Sequence, residues 1–365
     1  MTFISMHQSI VSHDAIGNDI ELMTNVFAKQ HKAVCYAQYG LNKSLKYIDE
    51  KKFNLLAQSP QTVIVYHHSG LWEDGEKLLD GAKAQIVFKY HNITPPKFFA
   101  PYCTAYEKSC FEGRKQTERL IKKFPNAFWL ADSQYNASEL YGVDKQHIAV
   151  CAPFNKIERW SKAKPDEAVL KSLVLNENIN ALFVGRCAPN KGHLAMIEAL
   201  AVYCSKYKDS RLHLWIIGKS DDALHSYNTL VHGAAAYYGL RDRVHIIGEI
   251  NDSILKSYYI GSDFYLNMSE HEGFCVPVVE AQYFELPIIS FSSCAVPETV
   301  GENQLLLHKN NPLVFAKAMH TLVENKELSF ALGAQGRKNY ESRFTETILS
   351  KRLTEIFDER FKVKL

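Results

Sequence analysis

Residues 265–300 read YLNMSEHEGFCVPVVEAQYFELPIISFSSCAVPETV. An apolar, strand-like piece passes into a polar loop at 269–274, and the loop enters a helix at Val276-Pro277. Proline at the first helical position sets φ and gives up no needed donor, so Pro277 marks the helix start. Glu272 lies in the loop before that start, and Glu280 lies about one turn inside the helix. The free N–H groups of a helix N-terminus favour a phosphate. A carboxylate beside them is repelled by phosphate and is suited to accept hydrogen bonds from hydroxyls. Two carboxylates around one helix start therefore predict a ligand with a diphosphate in the middle and hydroxyl-rich groups at both ends. A nucleotide-sugar is such a ligand.

Just upstream, apolar runs at 181–185, 212–218, 244–248, 263–268 and 287–291 alternate with helical segments, which predicts a parallel sheet covered on both faces. The first three runs end in Gly185, Gly218 and Gly248, and a missing side chain at a strand end permits close approach of a nucleotide. The first ending continues as FVGRCAPNKG, residues 183–192. Arg186 and Lys191 flank this short strand-to-helix loop, where both can reach one diphosphate. The GxxxxGK[ST] spacing of a P-loop is missing.

The first half repeats the pattern. Strands are predicted at 3–6, 32–37, 62–66, 85–90, 127–131 and 147–150, with helices notably at 19–30 and 110–124. Ligands of such sheets bind at the carboxyl ends of the strands. After the first strand comes the turn 13–19, HDAIGND, where Gly17 admits a phosphate or sugar to the backbone or serves a plain turn, and Asn18 or Asp19 caps the helix. His67 and His68 follow the third strand; adjacent histidines point apart, which favours substrate contact or packing over metal. His91 follows the fourth, and Pro95-Pro96 fix the exit of its loop. Asp132 or Ser133 reads as the cap of the next helix. Arg114, Lys115, Arg119, Lys122 and Lys123 form a basic cluster, read as a solvated helix face or as a surface for anionic lipid or a lipid-linked acceptor.

A length of 365 residues suits two domains, and 46% hydrophobic with 22% charged residues argues against disorder. A net charge of +2 gives no electrostatic case for nucleic acid. The cysteines show no CxxC pair and no zinc spacing, which predicts reduced thiols in a cytosolic protein. The N-terminus has neither the basic region nor the apolar core of a signal peptide, and no apolar window is long enough to span a membrane.

Together these pieces resemble the GT-B glycosyltransferases of the large retaining group known as glycosyltransferase family 4. FVGRCAPNKG at 183–192, VHIIGEI at 244–250, HEGFCVPVVEA at 271–281 and VPETVG at 296–301 carry the match in order and spacing over about 180–302. HDAIGND, YHNITPP at 90–96 and HEGFCVP look most like bacterial enzymes that build O-antigens and related surface polysaccharides, many of them mannosyltransferases. The resemblance implies two Rossmann-like α/β domains facing across a cleft: an acceptor-side domain over 1–155, a linker over 156–172, a nucleotide-sugar domain over 173–343, and a C-terminal helix over 344–365 crossing back to the first domain.

It also implies roles. Arg186 and Lys191 would hold and stabilise the departing diphosphate. Glu272, with the backbone of Gly273 and Phe274, would bind donor-sugar hydroxyls. Glu280 would bind the ribose, and Ile250 would lie near the base. Gly17 would face the phosphate or acceptor, and His91 matches a strand-end histidine that contacts the sugar near the reacting carbon. The implied partners are a GDP- or UDP-sugar donor, GDP-mannose favoured, and a saccharide or lipid-linked acceptor, with contact to the cytoplasmic face of the membrane. Family membership implies retention at the anomeric carbon. No DxD sequence is present, so neither a catalytic metal nor another cofactor is expected. A GT-B epimerase and a catalytically silent scaffold are the alternatives. Two positions depart from the family pattern: Cys275 replaces the usual glycine after EGF, with consequences for the donor-sugar pocket, and Glu285 replaces the usual glycine before Leu286-Pro287.

Overall fold

A computed structural model of the chain describes residues 1–12, 14–362 and 365. It divides into two compact units: 1–96 with 105–156 and 344–365, and 97–104 with 157–343. His13, part of the turn after the first strand, lies outside the described residues.

The first unit is built on six parallel strands: β1 (Thr2–Ile10), β2 (Lys32–Gly40), β3 (Thr62–His68), β4 (Gln85–Tyr90), β5 (Phe128–Ala131) and β6 (Ile148–Val150), in the order β2-β1-β3-β4-β5-β6. All of β3 and β5 is buried, as expected for strands covered on both faces. One core layer lies under the helix Ala15–Ala28, where Phe3 stacks on Phe27 at 4.3 Å. The C-terminal helix Glu346–Phe361 completes this layer with Leu349, Leu353, Ile356 and Phe357, its helically spaced apolar face. The opposite face is closed by Phe53, Trp72, Phe88, Leu120 and Trp129.

The second unit holds β7 (Ile179–Val184), β8 (Leu212–Ile217), β9 (Val244–Ile247), β10 (Phe264–Asn267), β11 (Ile288–Phe291) and β12 (Leu305–Leu307). Their order, β12-β11-β10-β7-β8-β9, is that of a dinucleotide-binding sheet, and every pairing is parallel. Only β12 escapes the sequence reading: three half-buried leucines are too short a run to separate from loop. The stretch expected as a linker, 156–172, contains the short helix Ile157–Trp160 and most of Glu167–Val174, the latter capped by Asp166. None of the eight cysteines is in a disulfide. Among the described residues no helix is long and apolar enough to cross a membrane.

One local reading is corrected, and two others are decided in detail. The first helix begins at Ala15, and its cap is Asp14, whose Oδ1 accepts from Gly17 N at 2.5 Å; neither Asn18 nor Asp19 caps it. Ser133, not Asp132, caps the helix after β5, accepting from Asn136 N at 3.1 Å. The basic cluster is largely neutralised in place. Arg114 pairs with Glu139, Lys115 with Glu118, Arg119 with Glu76 and Lys123 with Asp80, so four of its five cations face carboxylates of the same unit.

Candidate functional site

In a doubly wound sheet, the crevice for a ligand opens where the strand order reverses. In the second unit that point lies between β7 and β10. The loop after β7 and the loop after β10 meet there and are stitched by main-chain contacts. Glu270 N donates to Asn190 O at 2.9 Å, and Asn190 Nδ2 donates to His271 O at 3.0 Å. Gly192, at φ 74°, passes so close to the Met268 carbonyl that a Cβ would collide with it. This approach brings Lys191 onto Glu272, with Nζ 2.7 and 2.8 Å from the two carboxylate oxygens. The lysine side chain is 23% exposed and the glutamate 8%. Arg186 is exposed on the same strand-end loop, directly after Gly185.

Glu272 is also held from behind, because Ala295 N donates to its carbonyl at 3.3 Å and Thr299 Oγ1 donates to Phe274 O at 2.5 Å. The VPETV segment therefore supports the loop rather than lining it. The helix Val276–Tyr283 starts immediately after, with Pro277 in its first turn. Its Glu280 accepts from Tyr259 Oη at 2.7 Å. Burial pushes the Glu280 carboxyl up to about 7, outweighing the Tyr259 hydrogen bond. Ile250 is half-buried three residues beyond β9, on the outer strand of the sheet.

Two of the glycines singled out have a packing reason within the fold. A Cβ on Gly218 would strike the Gly185 carbonyl, so this glycine lets two strand ends pack together. A Cβ on Gly17 would strike the Val11 carbonyl, so its bareness fits the helix to the end of β1. Both departures from the family pattern have one backbone cause. Cys275 sits at φ 80° and Glu285 at φ 56°, in the left-handed region that glycine favours. The Cys275 side chain is buried at the helix start, where burial holds its thiol well above the ordinary range. Glu285 is exposed and follows the helix C-terminus. Glu285→Gly should relieve about 1–2 kcal/mol of left-handed cost while giving back about 0.4–1 kcal/mol through the freer unfolded chain. The net expectation is a higher melting temperature, and an unchanged or lower one contradicts it.

In the first unit the order reverses between β1 and β3. His67, Lys89 and Leu130 are register partners across β3, β4 and β5, so His91 and Asp132, two residues further on, share their face. Asp19 meets them from the helix after β1. His91 Nδ1 donates to Asp132 Oδ2 at 2.8 Å, and Lys89 Nζ lies 2.5 Å from Asp132 Oδ1. His91 Nε2 is 2.9 Å from His67 Nδ1, and Asp19 Oδ2 lies 3.8 and 3.7 Å from those two nitrogens. Phe154 N donates to Asp19 Oδ1 at 2.7 Å. Burial opposes the charge on Lys89, but Asp132 and Asp19 outweigh it and hold the ammonium well above its usual range. Burial likewise opposes the Asp132 carboxylate, and His91 and Lys89 pull it below the ordinary value. Asp19 is raised by burial, and burial keeps His67 neutral. His68 points to the other face and bonds Thr117 Oγ1 at 2.8 Å, a packing role.

Sequence reasoning found His91 but took Lys89 as part of an apolar strand and Asp132 and Asp19 as cap candidates. The missed signal was the i, i+2 spacing of Lys89 and His91: a lysine within a strand buried on both faces requires an anion on that face.

Two doubly wound parallel units define the GT-B class. Solved structures of that class match nearly the whole chain. Anabaena Alr3699/HepE in complex with UDP and glucose has a TM-score of 0.78 at 15% identity, covering 98% of this chain and 100% of that one. WaaG, a glycosyltransferase involved in lipopolysaccharide biosynthesis, has a TM-score of 0.71 at 13% identity, covering 97% and 99%. Residues 167–339 match the family described as Glycosyl transferases group 1. The chain is 25% identical over 191 residues to the capsular polysaccharide biosynthesis glycosyltransferase CapM of Staphylococcus aureus, covering 52% of this chain and 48% of that protein. It is 26% identical over 282 residues to the D-inositol 3-phosphate glycosyltransferase of Corynebacterium glutamicum, covering 73% and 65%. The matches thus span about half to two thirds of these relatives' length.

Proposed function

We propose that the chain is a retaining hexosyltransferase that moves a sugar from a nucleotide-sugar to a saccharide or lipid-linked saccharide during surface-polysaccharide synthesis. The observation that carries this reading is the Lys191–Glu272 pair at the switch point of the second sheet, beside the start of a helix that bears Glu280. Lys191 and Arg186 supply cations for a diphosphate, Glu272 accepts from sugar hydroxyls, and Glu280 accepts from the ribose. GDP-mannose is the favoured donor on the O-antigen-like motifs. UDP-sugars are the second reading, favoured by the UDP and UDP-glucose complexes of the Anabaena relative. Transfer is proposed to run without a metal, as a front-face displacement in which the leaving diphosphate oxygen takes the acceptor proton. Arg186, Lys191 and the helix start stabilise the charge that develops on that oxygen.

A melting-temperature series with GDP, UDP, ADP and their sugars tests the reading. A ligand at a hundredfold excess over its Kd should add about 2.7 kcal/mol to stability. No shift with any nucleotide defeats the assignment of the site. Activity lost in EDTA and restored by Mg²⁺ or Mn²⁺ defeats the metal-free mechanism.

Glu280 gives a pH dependence. Its folded pKa of about 7 lies above the ordinary value of 4.5, so its contribution to stability is full below about 4.5 and is lost as pH rises through about 7. Acceptance from two ribose hydroxyls requires the carboxylate, so nucleotide binding changes in the opposite sense. Calorimetric affinity should tighten from pH 6 to pH 8, and Glu280→Gln should flatten that slope. An identical slope in the variant removes Glu280 from the ribose site.

A further inference from the structure

His91 is half-buried as a residue, yet its ring is only 4% exposed. The exposed part of His91 is therefore its main chain. Its N–H donates to His68 O at 3.0 Å, and among the described residues no donor reaches its carbonyl. Asn92 follows at φ 71° and turns the chain away at once. Asn92 is itself pinned, its Nδ2 donating to Asn136 Oδ1 at 2.8 Å and to Glu139 Oε2 at 2.9 Å. Both ring nitrogens of His91 are engaged inside the unit, Nδ1 by Asp132 and Nε2 by His67. The ring thus acts as an anchor, and the polar group left for a ligand is a carbonyl oxygen at the end of β4.

We propose that Asp132, locked by the buried Lys89, is a positioning residue for sugar transfer: it fixes the His91 ring and thereby aims the His91 main-chain carbonyl at a substrate hydroxyl. This rests on the reading of the strand end at His91 as part of the transfer site. Asp132 is suited to the task because its two oxygens are used separately. Oδ1 takes Lys89, which also donates to the Cys151 carbonyl at 2.5 Å, and Oδ2 takes the imidazole. Such a carboxylate cannot rotate without breaking a buried ion pair. It therefore fixes the Nδ1–H tautomer of His91, and the opposite nitrogen shares a proton with His67 Nδ1. Asp19 Oδ2, His67 and His91 lie close enough together to suggest a divalent cation site. A proton shared over 2.9 Å accounts for the His67–His91 contact without an ion, while Asp19 Oδ2 makes no hydrogen bond among the described residues.

Three measurements test this. Asp132→Asn should lower kcat about 10- to 100-fold, on the scale of a small misplacement of a contact group. Its donor KM and the nucleotide-induced melting shift should stay at wild-type values, since those reside in the second unit. Nitrogen-15 NMR of the unmodified chain should show His91 protonated at Nδ1, a readout that needs no variant to fold. Unchanged kcat in Asp132→Asn, alongside a large loss in His91→Ala, overturns the proposal but leaves the reading of the strand end standing. Full activity in His91→Ala overturns both. A His91 tautomer protonated only at Nε2, or one equivalent of zinc per chain by elemental analysis, overturns the proposal whatever the variants do.

Discussion

Lys191→Ala is expected to lower turnover by about 10²-fold or more, the scale of losing one charge-stabilising donor. The ammonium is held by both oxygens of Glu272. On the proposed function a diphosphate, which carries more charge than a carboxylate, would compete for the same cation, and the pair would keep Lys191 placed for it. Loss of the lysine removes the cation proposed to face the leaving group and leaves Glu272, 8% exposed, without this partner. Arg186→Ala should fall on the same scale in kcat. Steady-state rates on the favoured donor check both variants. Near-normal turnover in both would sink the diphosphate assignment.

The second large effect concerns stability. Lys89→Met should destabilise the first unit by about 3–5 kcal/mol, the cost of removing one partner of a buried pair. The lysine side chain has no exposure, and Asp132 has 5%. Methionine fills much of the volume but leaves Asp132 beside Asp19 without the buried ammonium that faces both. Hydrogen exchange along β4 and β5 reports this unit without requiring the whole chain to unfold as one. A change under about 1 kcal/mol would mean that the ion pair is offset by water or by protonation of Asp19. A double variant that also converts Asp132 to leucine should recover much of the loss, because an apolar pair of similar volume carries no desolvation penalty.

Residues whose neighbours lie close in sequence were legible. The parallel αβ series, the helix start at Pro277 and the apolar face of Glu346–Phe361 follow from local spacing alone. Glycine at the positions of Cys275 and Glu285 was expected from resemblance, and the structure supplies the reason: both positions are left-handed. The misread residues were those whose partners come from other strands. Asp19 and Asp132 look like helix caps because they stand near helix starts, yet Asp14 and Ser133 occupy the cap geometry. The bareness of Gly218 and Gly17 also accommodates neighbouring backbone, a reason no local window of sequence shows.

The sequence by itself determined the class of fold and the residues available for chemistry, because strand and helix periodicity and strand-end composition are local properties. Only the tertiary structure decided which residues act together. The strand order sets a reversal point between β7 and β10, which puts Lys191 on Glu272 across 81 positions of chain. The register of β3, β4 and β5 places His67, Lys89, His91 and Asp132 on one face, out of water, where each charge must find its partner. Register and strand order arise from contacts between distant segments, and no short window of sequence contains them.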